Sequence, residues 1–295
     1  MQKTLVIKLL PTKEQSKLLL STMSTYIETV NSITARLQEA GSLLKLSSKD
    51  VGANLPSALK NQCIRDAKSV LKRHKKGVTK TLAVLKKPVS IWNNQNFSVD
   101  ENCIAFPVWN KKSTKISVKA LITTEQLELL NTCKMGTLRI SKKSHKFIAQ
   151  ITIDVPEQET TGTNKMGVDL GIKVPAVCAT SNGKIKFSGN GRKNKWLKRY
   201  YSHKRRKLGK AKKPKALKKM NQKEQRIMQD VDHKISREIV NFAKANDVSV
   251  IRMEKLANIR KATRKSRKNN RSLHTWSFYR LASYIEYKAK LEGIE

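Results

Sequence analysis

What the chain has least of is negative charge. Against 62 Lys and Arg it sets only 22 Asp and Glu in 295 residues, a formal net charge of +40. A folded domain with that excess repels itself unless a polyanion neutralises it, and nucleic acid rewards each phosphate contact by releasing condensed counterions. Other absences narrow the field further. No apolar run approaches the roughly 18 residues needed to span a bilayer, which sets anionic membrane aside as the partner. The opening MQKTLVIKLLPTKEQ has no apolar core followed by a small-residue cleavage site, so a cytoplasmic protein is expected. The four cysteines, Cys63, Cys103, Cys133 and Cys178, lie at least 30 residues apart. A zinc ribbon needs close CxxC pairs, so zinc is not supported, and four scattered thiols in a reducing compartment are expected instead. No Walker loop or dinucleotide fingerprint occurs, which removes ATP-driven and redox chemistry. The five histidines, His74, His145, His203, His233 and His274, show no spacing for a metal or a triad and suit polar surface or capping roles.

With 38% hydrophobic residues and only 12 Gly and 7 Pro, the chain can bury cores, and its length favours two domains. Residues 2–9 read as a strand, and Pro11-Thr12 opens a helix to about residue 40 whose apolar face is Leu18, Leu19, Met23, Ile27 and Val30. A second helix is predicted from about 56 to 76, where Leu59, Cys63, Ala67 and Val70 recur and basic residues gather at the end, favourable to the helix dipole. From 88 to 155 the rhythm becomes alternating, as in Phe147, Ala149, Ile151 and Ile153 against Gln150, Thr152 and Asp154, which predicts an all-β segment, a small barrel. PEQETTGTNK, residues 156–165, lacks apolar periodicity and reads as a linker between a domain at 1–155 and another at 166–295. The second domain begins with three successive strands around MGVDLGI, VPAVCAT and GKIKFSG. A helical region over about 193–246 follows, broken near Gly209 and Pro214, then the strand VSVIRM and a last helix with Trp276, Phe278, Leu281 and Ile285 on its core face. That order predicts a ribonuclease-H-like layer of helices on a mixed sheet.

Two acids stand at strand ends. Asp169 is the only acid between Glu159 and Glu224, and Glu254 closes the next core strand, 85 residues later. Carboxylates at the tips of neighbouring strands can converge on Mg²⁺, which prefers hard oxygen ligands, and a pair of such ions supports phosphodiester hydrolysis. By spacing alone, ordinary polar strand ends are the plainer reading of both. Basic residues flank them: residues 192–226 hold 17 Lys and Arg and one acid, and 255–271 hold eight and none. A charge run is often a solvated face. Beside a metal site it also suits the lining of a nucleic-acid channel. Candidate contacts are Lys72, Arg73, Lys195, Lys198, Arg199, Lys204, Arg205, Arg206, Lys207, Arg260, Arg264 and Arg267. Trp196, Tyr200 and Tyr201 lie among them, with base stacking or simple packing as alternatives.

MGVDLGIKVPAVCATSNGKI resembles the first RuvC motif of the transposon-encoded TnpB (OrfB) family of RNA-guided DNA endonucleases, relatives of type V CRISPR effectors. VSVIRMEKLANIR resembles its second motif. HKISREIV, HTWSFYRLASYIEYKAKLEGIE, MQKTLVIKLLPTKEQ and LPSALKNQCIRDAKSVLKR resemble further family segments in the same order, so the likeness covers nearly the whole chain. The resemblance implies an α/β multidomain protein: an N-terminal β-barrel wedge with a helical recognition insertion, then a RuvC/ribonuclease-H-like nuclease domain with Asp169 and Glu254 as catalytic Mg²⁺ ligands. It implies a guide RNA from the transposon end, double-stranded target DNA read beside a short motif, and a bacterial or archaeal, nucleoid-associated setting. A third aspartate and a four-cysteine ribbon belong to the family pattern and are not in these residues. The RuvC-like domain is therefore expected to be incomplete and its cleavage impaired, with a non-cleaving guide-RNA and DNA-binding protein or repressor, or an inactive transposon remnant, as the alternative.

Overall fold

The computed structural model describes residues 1–143, 145–156, 158, 162–256, 259 and 266–295, with the backbone alone at 267–269. Two compact units result, Met1–Pro156 and Glu157–Glu295, each with its own sheet and core.

The first unit opens with β1 (Gln2–Leu9) and α1 (Lys13–Glu39). Thr12 starts α1 as a capping box: its hydroxyl accepts from the Gln15 N–H at 3.2 Å while the Gln15 side chain accepts from the Thr12 N–H at 3.1 Å. Two otherwise unpaired amides are thereby satisfied. Leu19, Met23, Tyr26, Ile27, Val30, Ile33 and Leu37 form the buried stripe of α1, which takes in the predicted face except Leu18, only half-buried. Against it packs α2 (Ser57–Lys75) through Leu59, Cys63, Ile64, Ala67 and Leu71. A 2.7 Å hydrogen bond from the Tyr26 hydroxyl to Asp66 crosses this helix pair.

Six more strands follow: β2 (Val89–Trp92), β3 (Ser98–Asp100), β4 (Cys103–Asn110), β5 (Lys112–Leu121), β6 (Lys134–Lys143) and β7 (Lys146–Asp154). With β1 they make one antiparallel sheet in the order β2-β6-β7-β1-β5-β4-β3. In β7 the residues Phe147, Ala149, Ile151 and Ile153 are buried, on the face set by the period of two. The sheet curls. Trp92 of the edge strand β2 donates its indole N–H to the Pro107 carbonyl of β4 at 3.0 Å and packs at a tilt on Phe106, ring centroids 4.7 Å apart, although four strands separate β2 from β4 in hydrogen-bonding order. The segment from 88 to 155 is not all β: α3 (Thr124–Thr132) interrupts it, started by a second capping box between Thr123 and Gln126.

The second unit begins earlier than expected. β8 spans Asn164–Asp169, so the last two residues of the predicted linker already belong to a strand. Asn164 is drawn into the sheet because its N–H donates to the Asp247 carbonyl at 3.0 Å. β9 (Ala176–Thr180) and β10 (Ile185–Ser188) follow, then α4 (Gly191–Lys210), α5 (Pro214–Met220), α6 (Lys223–Lys244), β11 (Val248–Met253), α7 (Arg267–Thr275) and α8 (Phe278–Leu291). The sheet order is β10-β9-β8-β11, with β11 parallel to β8 and the other pairs antiparallel. Met166, Val168, Ala176 and Cys178 of the sheet share one core with Ile235, Ile239, Val240 and Ala243 of α6 and Leu281, Ile285 and Ala289 of α8. Trp276 and Phe278 pack on its margin. On the far side of β11, the Glu295 N–H donates to Ser249 at 2.9 Å and its carbonyl accepts from Ile251 at 2.7 Å, a parallel pairing.

Candidate metal and nucleic-acid site

Parallel pairing of β8 with β11 sets Val168 opposite Met253. The next residue of each strand is the acid. Because side chains alternate, the inward course of Val168 leaves Asp169 on the open side of the sheet, and both Asp169 and Glu254 are exposed. After Asp169 the chain turns back at once. The Gly171 N–H donates to the Pro175 carbonyl at 3.3 Å, and a Cβ at this glycine would stand 2.6 Å from the Val174 carbonyl oxygen. A second close approach follows at Gly191, the first residue of α4, where a Cβ would lie 2.0 Å from the Ile172 carbonyl oxygen. Only glycine lets α4 start against the loop that leaves Asp169.

The Glu254 carboxyl lies in hydrogen-bonding reach of the Asp169 carboxyl, which holds it above the ordinary glutamate range. Slight desolvation and the Asp169 charge act the same way, and a hydrogen bond from the Leu170 N–H opposes them. Like charges this close repel, and a cation between them would relieve the repulsion. Their oxygen donors fit a hard divalent ion. Among the described residues, no group of three or more His, Cys, Asp or Glu gathers for a metal.

Beside the Asp169 loop, a cavity of about 700 Å³ opens between α4, α6 and the α7–α8 corner, with Gly171 and Ile172 in its wall. Of the basic residues singled out by sequence, Lys195, Lys198, Arg199, Arg205 and Arg206 line it. Lys198 donates to the Thr275 carbonyl, and Arg205 pairs with Glu224 at 2.6 Å. Lys204 and Lys207 are on α4 but outside this lining. Lys72 and Arg73 are exposed on the last turn of α2 in the other unit. Arg260 and Arg264 lie outside the described residues, and Arg267 begins α7.

Two contributors had no sequence signal. Arg271, one of many cations in a run without periodicity, lines the cavity and donates to the Ser202 hydroxyl at 2.8 Å. Asp232, deep in its wall, accepts from Arg280 at 2.7 and 2.6 Å and from the Ser277 hydroxyl at 3.0 Å. Its partners are 45 and 48 residues away, beyond any local pattern.

Known proteins give this arrangement its class. In a cryo-EM structure of a Cas12f1–sgRNA–target DNA complex, the Cas12f1 chain superposes on all of this chain and 88% of its own length, with a TM-score of 0.68 at 15% identity, so the fold is that of a Cas12f1-like α/β protein. Residues 149–260 match the family OrfB_IS605, described as a probable transposase. A TnpB-like protein of Methanocaldococcus jannaschii is 40% identical over 102 residues, 32% of this chain and 36% of that protein. The CRISPR-associated endodeoxyribonuclease Cas12f1 of an uncultured archaeon is 26% identical over 63% of this chain and 37% of its own length, and that of Sulfoacidibacillus thermotolerans 24% over 61% and 47%. Over these stretches the chain is similar to transposon-encoded TnpB (OrfB) proteins and to Cas12f1. The matched stretch spans about a third to a half of the length of these relatives. No helix among the described residues is long and apolar enough to cross a membrane.

Proposed function

We propose that this chain is an RNA-guided, metal-dependent DNA endonuclease of an insertion-sequence element, with Asp169 and Glu254 as its metal-binding pair. The observation that carries this reading is their meeting: two acids 85 residues apart stand abreast on parallel strands with their carboxyls in contact. In this reading residues 1–155 form the wedge and helical recognition portion, and 166–295 the RuvC-like portion. The basic wall of the cavity, above all Lys195, Arg199 and Arg206, holds phosphates of the guide RNA and target DNA through charge. Asp169 and Glu254 would hold Mg²⁺, which supplies Lewis-acid stabilisation of phosphodiester hydrolysis. Leu170 keeps Glu254 turned toward Asp169 through its N–H. A carboxylate pair supplies few anchors for two ions, so these 295 residues should bind nucleic acid more firmly than they cut it.

The test pairs Mn²⁺ binding by electron paramagnetic resonance with Mg²⁺-dependent cleavage of a guide-matched plasmid and a gel shift. Asp169→Ala and Glu254→Ala should each weaken Mn²⁺ binding at least tenfold, while nucleic-acid affinity stays within about twofold because it rests on the basic residues. Undiminished Mn²⁺ binding in both variants removes the assignment. Robust guided cutting by the unchanged 295-residue chain removes the expectation of weak cleavage.

A further inference from the structure

α4 buries almost nothing: of its 20 residues only Gly191 and Tyr201 are buried. One side faces the cavity. Another side, turned away from it, carries Trp196, Tyr200 and Lys204 at steps of four, and Lys193 and Lys207 extend the same stripe by three residues at either end. Trp196 is 62% exposed and Tyr200 44% exposed. Their rings stack with centroids 5.5 Å apart and only 16° between planes, and Lys204 stands 5.6 Å over the Tyr200 ring. Tyr201, 7% exposed, meets Tyr200 edge-on at 5.2 Å and supports it from below. Packing accounts for Tyr201. It does not account for the other two, since an i,i+4 ring pair contributes only about 0.2–0.5 kcal/mol to a helix while both rings leave much of their apolar area in water.

We infer that this stripe is a stacking platform for unpaired bases of an RNA strand. The inference rests on the reading that the chain holds a guide RNA. Every base offers a π-face to an aromatic ring, and cations spaced along the same stripe meet the phosphates between bases. An apolar protein partner is a poor fit, because Lys193, Lys204 and Lys207 interrupt and border the rings. The side of the helix decides between strands. A strand delivered for hydrolysis must reach Asp169, next to the cavity wall, whereas the stripe looks away from that wall and suits a strand that is held and not cut. RNA loops and ends present splayed bases of this kind.

The experiment measures binding of a fluorescent oligouridylate in EDTA, so metal and cleavage play no part, alongside an RNA duplex and oligodeoxythymidylate. Trp196→Ala and Tyr200→Ala should each weaken oligouridylate binding about tenfold, and the loss should persist at high salt, where lysine contacts are screened. Trp196→Phe should recover most of the affinity, and the duplex should change by less than about twofold, since its bases are already stacked. Lys204→Ala should instead lower the salt slope by about one. Equal losses for single strand and duplex, or none for either, overturn the platform. A loss confined to oligodeoxythymidylate overturns the choice of RNA. An unchanged thermal midpoint by circular dichroism shows that the exposed-site variants still fold. Failure here leaves the Asp169–Glu254 pair standing, and failure of that pair to bind Mn²⁺ leaves this measurement unaffected.

Discussion

The cores of the two units are held by different forces. Among the described residues, the polar side chains buried in the first unit, Thr22, Thr29, Thr34 and Ser90, carry no charge, and the buried Tyr26 and Trp92 each present one polar atom. Thr29 and Thr34 donate to carbonyls one turn back on α1, at 2.6 and 2.7 Å, and so need no partner from elsewhere. The second unit buries two charged groups, Asp232 at 3% exposure and Lys288 at 5%, both between α6 and α8. Lys288 donates to the His233 carbonyl at 2.6 Å and to the Ser236 hydroxyl at 2.7 Å. Apolar burial is non-directional and tolerates small shifts, whereas these bonds fix how α8 lies on α6. The difference falls where position matters most, because Asp232 and Leu281 belong to the wall of the cavity beside the Asp169 loop.

The largest effect is therefore expected from breaking one charged pair. Asp232→Ala leaves the Arg280 guanidinium without its carboxylate and the Ser277 hydroxyl without its acceptor, and should cost about 3–5 kcal/mol in urea unfolding. Adding Arg280→Met should return much of that, since replacing both partners by apolar groups is often close to neutral. A double variant as unstable as the single one would mean that the pair is not the source of the loss. In the first unit the matching probe is Leu19→Ala. Leu19 is fully buried in the α1 stripe, and the cavity it leaves should cost about 2–5 kcal/mol. The cost of a cavity comes from lost apolar contacts and not from charge, so it should be the same at pH 6 and pH 9. A strong pH dependence would erase the contrast between the two cores.

Local regularities made much of this architecture legible. The capping Thr12, the stripe from Leu19 to Val30, the alternation from Phe147 to Ile153 and the step of four from Ile235 to Ile239 each report one face of one element. The acids were visible because each ends an apolar strand. What stayed hidden was either short or distant. α3 has nine residues with one buried side chain, Leu130, too little for a helical stripe to show against alternating neighbours. Its capping box, Thr123 with Gln126, was the available signal. The start of β8 at Asn164 depends on the Asp247 carbonyl, and the Asp232 site on Arg280, contacts that no local window contains.

The smallest expected effect concerns Lys288. Burial, and secondarily the Arg237 charge on α6, push its ammonium down to about 8 from the ordinary 10.5. The groups around it on α6 are the His233 carbonyl, the Ser236 hydroxyl and Arg237, while on its own helix it lies 5.9 Å from the Tyr287 ring. No carboxylate bonds to it among these, so nothing offsets its desolvation with opposite charge. The sign follows from proton counting. Below pH 8 the amine is charged in both folded and unfolded chains, and its penalty is constant. Between about 8 and 10.5 the folded chain releases the proton while the unfolded chain keeps it, so stability contributed at this site rises with pH. Lys288→Met removes the titration, and the gap between wild type and variant should therefore shift in favour of the wild type across that window, by on the order of 1–3 kcal/mol. Parallel urea titrations of the two proteins at several pH values, reading their difference, cancel the contribution of every other group. A difference that stays flat from pH 8 to 10.5 would show that the buried ammonium is as well solvated by His233 and Ser236 as it is by water, and that the second core is less electrostatic than its contacts imply.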